Sequence, residues 1–213
     1  MILGIVKQKG GVGASTLART VAANYASADW NVKIADMDTK QGTSTRWNAR
    51  RLQNEITPSI SVEQFNEVKQ AVRQAASYDL LIFDGAPHSS VQTLEIAKAS
   101  DVVVIPTGTS LDDLEPSIQL AYDLTAKGIN KERIVFAFCR IGNSAAELEE
   151  CIEYIKKSDY KPLEGVITEK TAIRRSGDLG LAANETKFKT VNDKVNELIQ
   201  SIVNELVQSQ KAR

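Results

Sequence analysis

Histidine is nearly absent from this 213-residue chain, which has His88 alone, and sulfur is scarce, with two cysteines and two methionines. A lone imidazole cannot build a histidine metal site, so His88 is given no catalytic part. Cys139 lies in an apolar strand-like run and Cys151 in a helix-like run, and neither belongs to a CxxC pair or a His-rich cluster. Both read as buried thiols of a reducing compartment. No sign of charge dominates, because 26 Lys and Arg face 27 Asp and Glu for a net −1. Bulk attraction to nucleic acid or anionic lipid is thereby excluded, and any DNA binding requires a local basic patch. Long apolar runs are missing too. The stretch Met1–Val6 is apolar for six residues before Lys7, too short for a signal-peptide core or a membrane span, and the expected compartment is the cytoplasm. With no repeat, low-complexity tract or Pro/Gly/Ser-rich linker, one domain over residues 1–213 is expected.

What is present is enough apolar content, 42% of residues, to bury a substantial core. Short β-branched runs alternate with segments of helical period. Strands are expected at 2–7, 32–36, 80–84, 102–106, 134–139 and 163–167, with a weaker one near 59–62. Helices are expected at 15–28, 43–53, 64–77, 91–99, 111–127, 145–157 and 191–208. This alternation predicts a doubly wound α/β fold, a mainly parallel sheet with helices on both faces. Ligands of such sheets collect beyond the carboxyl ends of the strands.

Directly after the first expected strand the chain reads Lys7-Gln8-Lys9-Gly10-Gly11-Val12-Gly13-Ala14-Ser15-Thr16 and continues as an amphipathic helix. Glycines let backbone N–H groups curl around an anion, and the helix N-terminus adds partial positive charge. The Ser15-Thr16 pair offers one hydroxyl for Mg²⁺ and another for phosphate. A tight turn without ligand would be the simpler account of a bare GG-x-G. The early lysine and two downstream aspartate motifs reverse that preference. The ordinary GxxxxGKS/T loop fails twice, at Gln8 and at Ala14. The run KGGVGxST nevertheless resembles the deviant P-loop, KGGxxKS/T, of the ParA/MinD family of nucleotide-dependent ATPases. The resemblance implies a P-loop NTPase, Rossmann-like fold and an ATP site at Lys9, Gly10, Gly11, Val12, Gly13, Ala14, Ser15 and Thr16. It also implies that Lys9, the family's extra lysine, crosses a dimer interface to the partner's nucleotide and takes part in catalysis.

The second expected strand ends in Asp36-Met37-Asp38-Thr39-Lys40-Gln41-Gly42, which resembles the family's D-x-D-P-Q switch with Thr39-Lys40 in place of Pro-Gln. By that resemblance Asp38 positions or activates the attacking water and Asp36 supports the Mg²⁺ shell. Turn-forming aspartates that merely end a strand are the alternative. The run Leu80-Leu81-Ile82-Phe83-Asp84 is a Walker B pattern, four apolar residues that bury a strand and deliver Asp84 to the water shell of Mg²⁺. The following Gly85-Ala86-Pro87 could form a second switch. Near Leu111-Asp112-Asp113-Leu114 the chain resembles the family's VIIPxxPSxLD segment, although at least one of these aspartates reads as a helix cap. Arg140-Ile141-Gly142-Asn143 falls where the family often places groups near the adenine.

Ala14 stands where the family's main phosphate-gripping lysine belongs. That lysine bridges the β- and γ-phosphates, and loss of one such donor slows turnover by on the order of 10²–10³. Hydrolysis is therefore expected to be impaired. Backbone amides, Mg²⁺ on Ser15 and a partner's Lys9 could still hold ATP. The residue fits either an engineered substitution or a natural subfamily in which a lysine elsewhere substitutes, and the carboxysome-positioning relatives depart from the lysine pattern in this loop.

Arg174, Arg175, Lys187, Lys189 and Lys194 form a basic stretch. By resemblance it binds DNA without sequence preference through phosphate contacts, although scattered basic residues on a solvated face would look the same. The last expected helix carries one apolar stripe, and Asp193, Glu197 and Glu205 on its polar face argue for docking on the core rather than on an anionic bilayer. The resemblance as a whole implies a small ParA-type partition ATPase with cofactors ATP and Mg²⁺. It would close as an ATP-dependent homodimer, bind nonspecific DNA of the nucleoid and be released by a ParB-like adaptor or centromere-binding protein. A MinD-like membrane-associated regulator, or an ATP-binding scaffold of the carboxysome-positioning kind, is the alternative.

Overall fold

A computed structural model describes residues 1–88 and 90–211. Its strands are β1 (Ile2–Ile5), β2 (Val32–Asp36), β3 (Ser61–Gln64), β4 (Leu80–Asp84), β5 (Val102–Thr107), β6 (Ile134–Ile141) and β7 (Lys161–Thr168). They form one sheet in the order β3-β2-β4-β1-β5-β6-β7, with each neighbouring pair parallel. The helices are α1 (Ala14–Ala26), α2 (Thr43–Gln53), α3 (Val68–Gln74), α4 (Ser90–Ala99), α5 (Leu111–Ala126), α6 (Ala145–Lys157), α7 (Thr171–Asp178) and α8 (Lys189–Lys211).

Every residue of β2, β4 and β5 is buried, as a parallel strand covered on both faces requires. Alternate side chains feed two cores. Leu3, Ile34 and Ile82 pack with α1, α2, α7 and α8, whereas Ala35, Leu81, Phe83 and Val103 pack with α3, α4, α5 and α6. The register sets Asp36 of β2 beside Asp84 of β4, and Ile5 of β1 beside Asp84 on the other side. Both carboxylates therefore leave the sheet at one edge, next to the loop that follows β1.

Several element bounds shift by two or three residues, β1 ending at Ile5 rather than Lys7 and β3 running over Ser61–Gln64, and two expectations change further. Gln64 ends β3, paired with Asp36, so the helix expected from that residue starts at Val68, and its end tightens into a 3-10 turn at Ala75–Ser77. The helix α7 was not expected. It buries only Ile173 and Ser176 among charged neighbours, too few apolar positions to show a period.

The α8 stripe docks on the core through Val195, Leu198, Ile199, Ile202 and Leu206. Among the described residues no helix is long and apolar enough to cross a membrane. The helix α2 is tied to the α7 end of the chain. Arg51 is fully buried, with Nη1 donating to the Gly180 carbonyl at 3.2 Å and to Glu185 at 2.7 Å, while Trp47 Nε1 donates to the Leu181 carbonyl at 3.0 Å.

Gly165 has φ +78 in a stretch of β7 where the register against β6 shifts, and a Cβ there would lie 2.2 Å from the Leu198 backbone nitrogen of α8. Gly165→Ala is expected to cost about 3 kcal/mol through overpacking against backbone, measured by urea denaturation. An unchanged midpoint would show that α8 does not rest on this strand.

Candidate functional site

The loop after β1 is pinned at both ends. At its start the Val6 amide donates to the Val104 carbonyl at 3.0 Å. At its end Gly13 takes φ +87, and a Cβ there would press to 2.8 Å against Cβ of Cys139. Gly11 also has a positive φ, and its carbonyl accepts from Arg140 Nη1 at 2.6 Å. Arg140, itself at φ 57, donates through Nε to Glu169 at 2.7 Å. The helix α1 then begins with no side-chain cap and no acidic residue in its first turn. Its N–H groups and partial positive charge are left for an anion.

Asp84 is the meeting point beneath this loop. Its carboxylate is 1% exposed; Oδ1 accepts from Ser15 Oγ at 3.1 Å and Oδ2 from Ser44 Oγ at 2.7 Å. Lys7 Nζ approaches the same Oδ1 at 3.5 Å. Arg19 donates through Nε to Ser44 at 3.4 Å and lies 5.7 Å from the Trp47 ring centroid. Burial pulls the Arg19 guanidinium down to about 10, with Asp84 acting in the opposite direction.

Asp36 sits beside this network with its oxygens already engaged. Oδ2 accepts from the Thr45 amide and from Thr45 Oγ1, both at 2.9 Å, and Oδ1 accepts from the Asp38 amide at 3.2 Å. It acts as an outside cap for α2, whose own N-cap, Gly42, offers no side chain. Burial raises the Asp36 pKa and Asp84 adds to the rise, while the Thr45 donors oppose it. Asp38 accepts from the Gln41 amide at 3.1 Å and reaches the cavity wall.

The cavity above these groups measures about 750 Å³, within the roughly 300–1,000 Å³ of small-molecule sites. Its charged lining is mainly basic, with Lys7, Arg19, Arg50, Arg140, Lys170, Arg174 and Arg175 against Asp38, Glu169 and Asp178. That balance fits a polyphosphate. Among the described residues no group of three or more His, Cys, Asp or Glu converges as a metal site. Ser15 and Asp84 provide the sparse oxygen set that suits Mg²⁺, which takes one or two carboxylates together with phosphate oxygens.

Of the residues expected from the sequence, Gly10, Gly11, Gly13, Ala14, Ser15, Thr16 and Asp38 line the cavity, with Asp84 at its floor. Lys9 turns away from it. Its Nζ donates to the Asp112 carbonyl at 2.9 Å and to Asp113 Oδ1 at 3.1 Å, with the side chain 40% exposed. The basic stretch gathers only in part: Arg175, Lys187 and Lys194 line a second, neighbouring cavity together. Arg174 pairs with Glu169 and, with Arg175, lines the first cavity. Lys187 stands 5.3 Å from the Phe188 ring centroid, and Lys189 lies 3.9 Å from Asp193. Sequence reasoning passed over Lys7, Arg19 and Ser44. A lysine at the end of an apolar strand was the available signal for Lys7, whereas Ser44 and Arg19 carry none outside the fold.

Asp36→Ala is expected to lower stability by about 1–3 kcal/mol, because the Thr45 and Asp38 donors lose their acceptor. A pH series on the conservative variant adds a sign. The raised pKa means that the folded state binds the Asp36 proton first, so its titration adds stability as pH falls from neutrality toward the ordinary carboxylate range. Asp36→Asn keeps an acceptor and lacks that increment, a difference that paired denaturant titrations at each pH resolve.

Residues 3–183 match the family model described as the CobQ/CobB/MinD/ParA nucleotide binding domain. The chromosome partitioning protein ParA of Myxococcus xanthus is 29% identical over 207 residues, covering 75% of this chain and 73% of the relative. The maintenance of carboxysome distribution protein A of Gloeobacter kilaueensis is 23% identical over 194 residues, covering 90% and 88%. Among solved structures, the cell division ATPase MinD of Pyrococcus furiosus has a TM-score of 0.75 at 16% identity, covering 95% of this chain and 98% of that one. A Cyanothece McdA variant in complex with ATP has a TM-score of 0.70 at 15% identity, covering 95% and 96%. These likenesses show the fold.

Proposed function

The chain belongs to the CobQ/CobB/MinD/ParA nucleotide-binding family, and on that premise we propose that it is an ATP-dependent dimerising switch for DNA partition or cargo positioning. The observation that carries this reading is the convergence of Ser15, Ser44 and Lys7 on the buried Asp84 carboxylate, at the floor of a basic cavity opened by the glycine loop.

In this reading the amides of Gly10 to Ser15 hold the phosphates of ATP. Ser15 and Asp84 would hold Mg²⁺, and the ion would supply charge compensation for the phosphates. Asp38 orients the attacking water from the cavity wall. Asp36 supports this arrangement indirectly, by fixing the Asp38 amide and the start of α2. Lys9 crosses to the nucleotide of a second copy. Its contact with Asp113 is a partly exposed ion pair of the kind worth about 0–1 kcal/mol, so the free subunit holds Lys9 aside at little cost. The closed dimer binds nonspecific DNA of the nucleoid, with Arg174, Arg175, Lys187 and Lys189 as the proposed phosphate contacts. A ParB-like adaptor stimulates release.

Sedimentation velocity tests the switch. With Mg·ATP the chain is expected to dimerise, and Lys9→Ala to remain monomeric. Fluorescence anisotropy with a random-sequence duplex should then show ATP-dependent binding that weakens steeply with salt. ATP-dependent pelleting with anionic liposomes and no DNA binding would instead assign the membrane-associated alternative. Ala14 leaves the loop without its lysine, so turnover is slow. Ala14→Lys is expected to raise phosphate release by on the order of 10², and no gain would overturn that account of Ala14.

A further inference from the structure

We propose that Lys7, at the β1 side of the loop, supplies the phosphate-holding charge that Ala14 lacks. This rests on the ATP-binding reading above and assigns a ligand-binding role within that site. Ala14 presents a methyl group, 2% exposed, at the first position of α1. The loop's other lysine, Lys9, is drawn off to Asp113. Two lysines line the cavity, Lys7 and Lys170; Lys170 donates to Asn143 Oδ1 at 2.9 Å, whereas Lys7 shares the Asp84 carboxylate with Ser15.

Its placement is costly for a merely structural cation. The side chain is 8% exposed, and burying an ammonium is unfavourable unless its donors are well matched. The match is poor. Nζ reaches Asp84 Oδ1 at 3.5 Å, the far limit of a hydrogen bond, and that oxygen already accepts from Ser15 at 3.1 Å. An ammonium has three donors, and Asp84 is the single hydrogen-bond partner of Nζ among the described residues. Of the basic groups nearby, Arg140 is engaged by Gly11 and Glu169, and Arg19 donates to Ser44 and stacks over Trp47.

Two cations cannot share one carboxylate oxygen without repulsion. With Mg²⁺ bound, Asp84 would serve the ion, and the Lys7 ammonium, on its flexible four-carbon stem, would be free to face the negative charge of the triphosphate. The methyl of Ala14 gives it room. Lys7 thus offsets charge in bound ATP from below the loop. It does not reproduce the loop lysine's donor to the transition state, and slow turnover is retained.

The test uses an ATP acyl-phosphate, whose acyl group passes to lysine amines beside the terminal phosphate. With Mg²⁺ and the unsubstituted chain, peptide mass spectrometry should find Lys7 acylated, and excess ATP should suppress the labelling. Titration with a fluorescent ATP analogue provides the second arm. Lys7→Gln is expected to weaken Mg·ATP binding by about 10- to 100-fold, with a much smaller effect on AMP. Lys7→Gln combined with Ala14→Lys should recover the lost affinity, because the charge is returned from the loop. If Lys7 is merely structural, Lys7→Gln loses the same factor in affinity whether or not Ala14→Lys is present. If the unsubstituted chain binds no Mg·ATP, the functional reading fails and this inference with it. If it binds while Lys7 stays unlabelled and Lys7→Gln binds equally well, this inference alone is overturned. Should Lys7→Gln not fold, labelling of the unsubstituted chain decides.

Discussion

A carboxylate almost wholly removed from water must be surrounded by donors, and Asp84 shows what this requirement imposes on the rest of the molecule. Its two oxygens draw in a hydroxyl from the first turn of α1, a hydroxyl from the first turn of α2 and an ammonium from the end of β1. Three elements distant in sequence are thereby fixed at one strand end. The parallel register makes this possible, because β1 and β2 flank β4 and end level with it. The sheet supplies the alignment, and the buried charge turns that alignment into a site.

The same requirement explains where charge is tolerated inside this chain. Arg51, fully buried, is matched by Glu185 and two backbone carbonyls. Asp36 is matched by three donors from the segment it helps to shape. Lys7 has a single long contact. Unequal satisfaction among buried ions separates Arg51 and Asp36, which complete the fold, from Lys7, whose donors the polypeptide leaves mostly unmet.

Much of the fold was legible in local pattern. The β2 and β4 runs, Val32–Asp36 and Leu80–Asp84, have the bounds their apolar stretches predict, and so do α2 and α6, because burial on both strand faces and helical period are written into consecutive residues. The glycine loop and the strand-end aspartates were legible for the same reason. The partners were not. Ser44 is one hydroxyl among several, and only the packing of α2 against the sheet aims it at Asp84. Lys9 was expected to point outward to a second subunit, yet a subunit alone folds it onto Asp113, a contact between residues 104 apart that no local motif encodes. The helix α7 escaped because its hold on the core is too slight to leave a period.

The attachment of α2 has a mechanical meaning. Its first turn is held by Asp36, while farther along the helix Arg51 and Trp47 grip the carbonyls of Gly180 and Leu181. A Cβ on Gly180 would come within 2.3 Å of the Arg51 amide nitrogen, so no compressible side chain cushions that junction. The helix is therefore a stiff strut between the segment that faces a terminal phosphate and the turn that ends α7. In the proposed reading, a shift of Asp36 and Asp38 would move α2 and, through Arg51 and Trp47, the turn that follows Arg174 and Arg175.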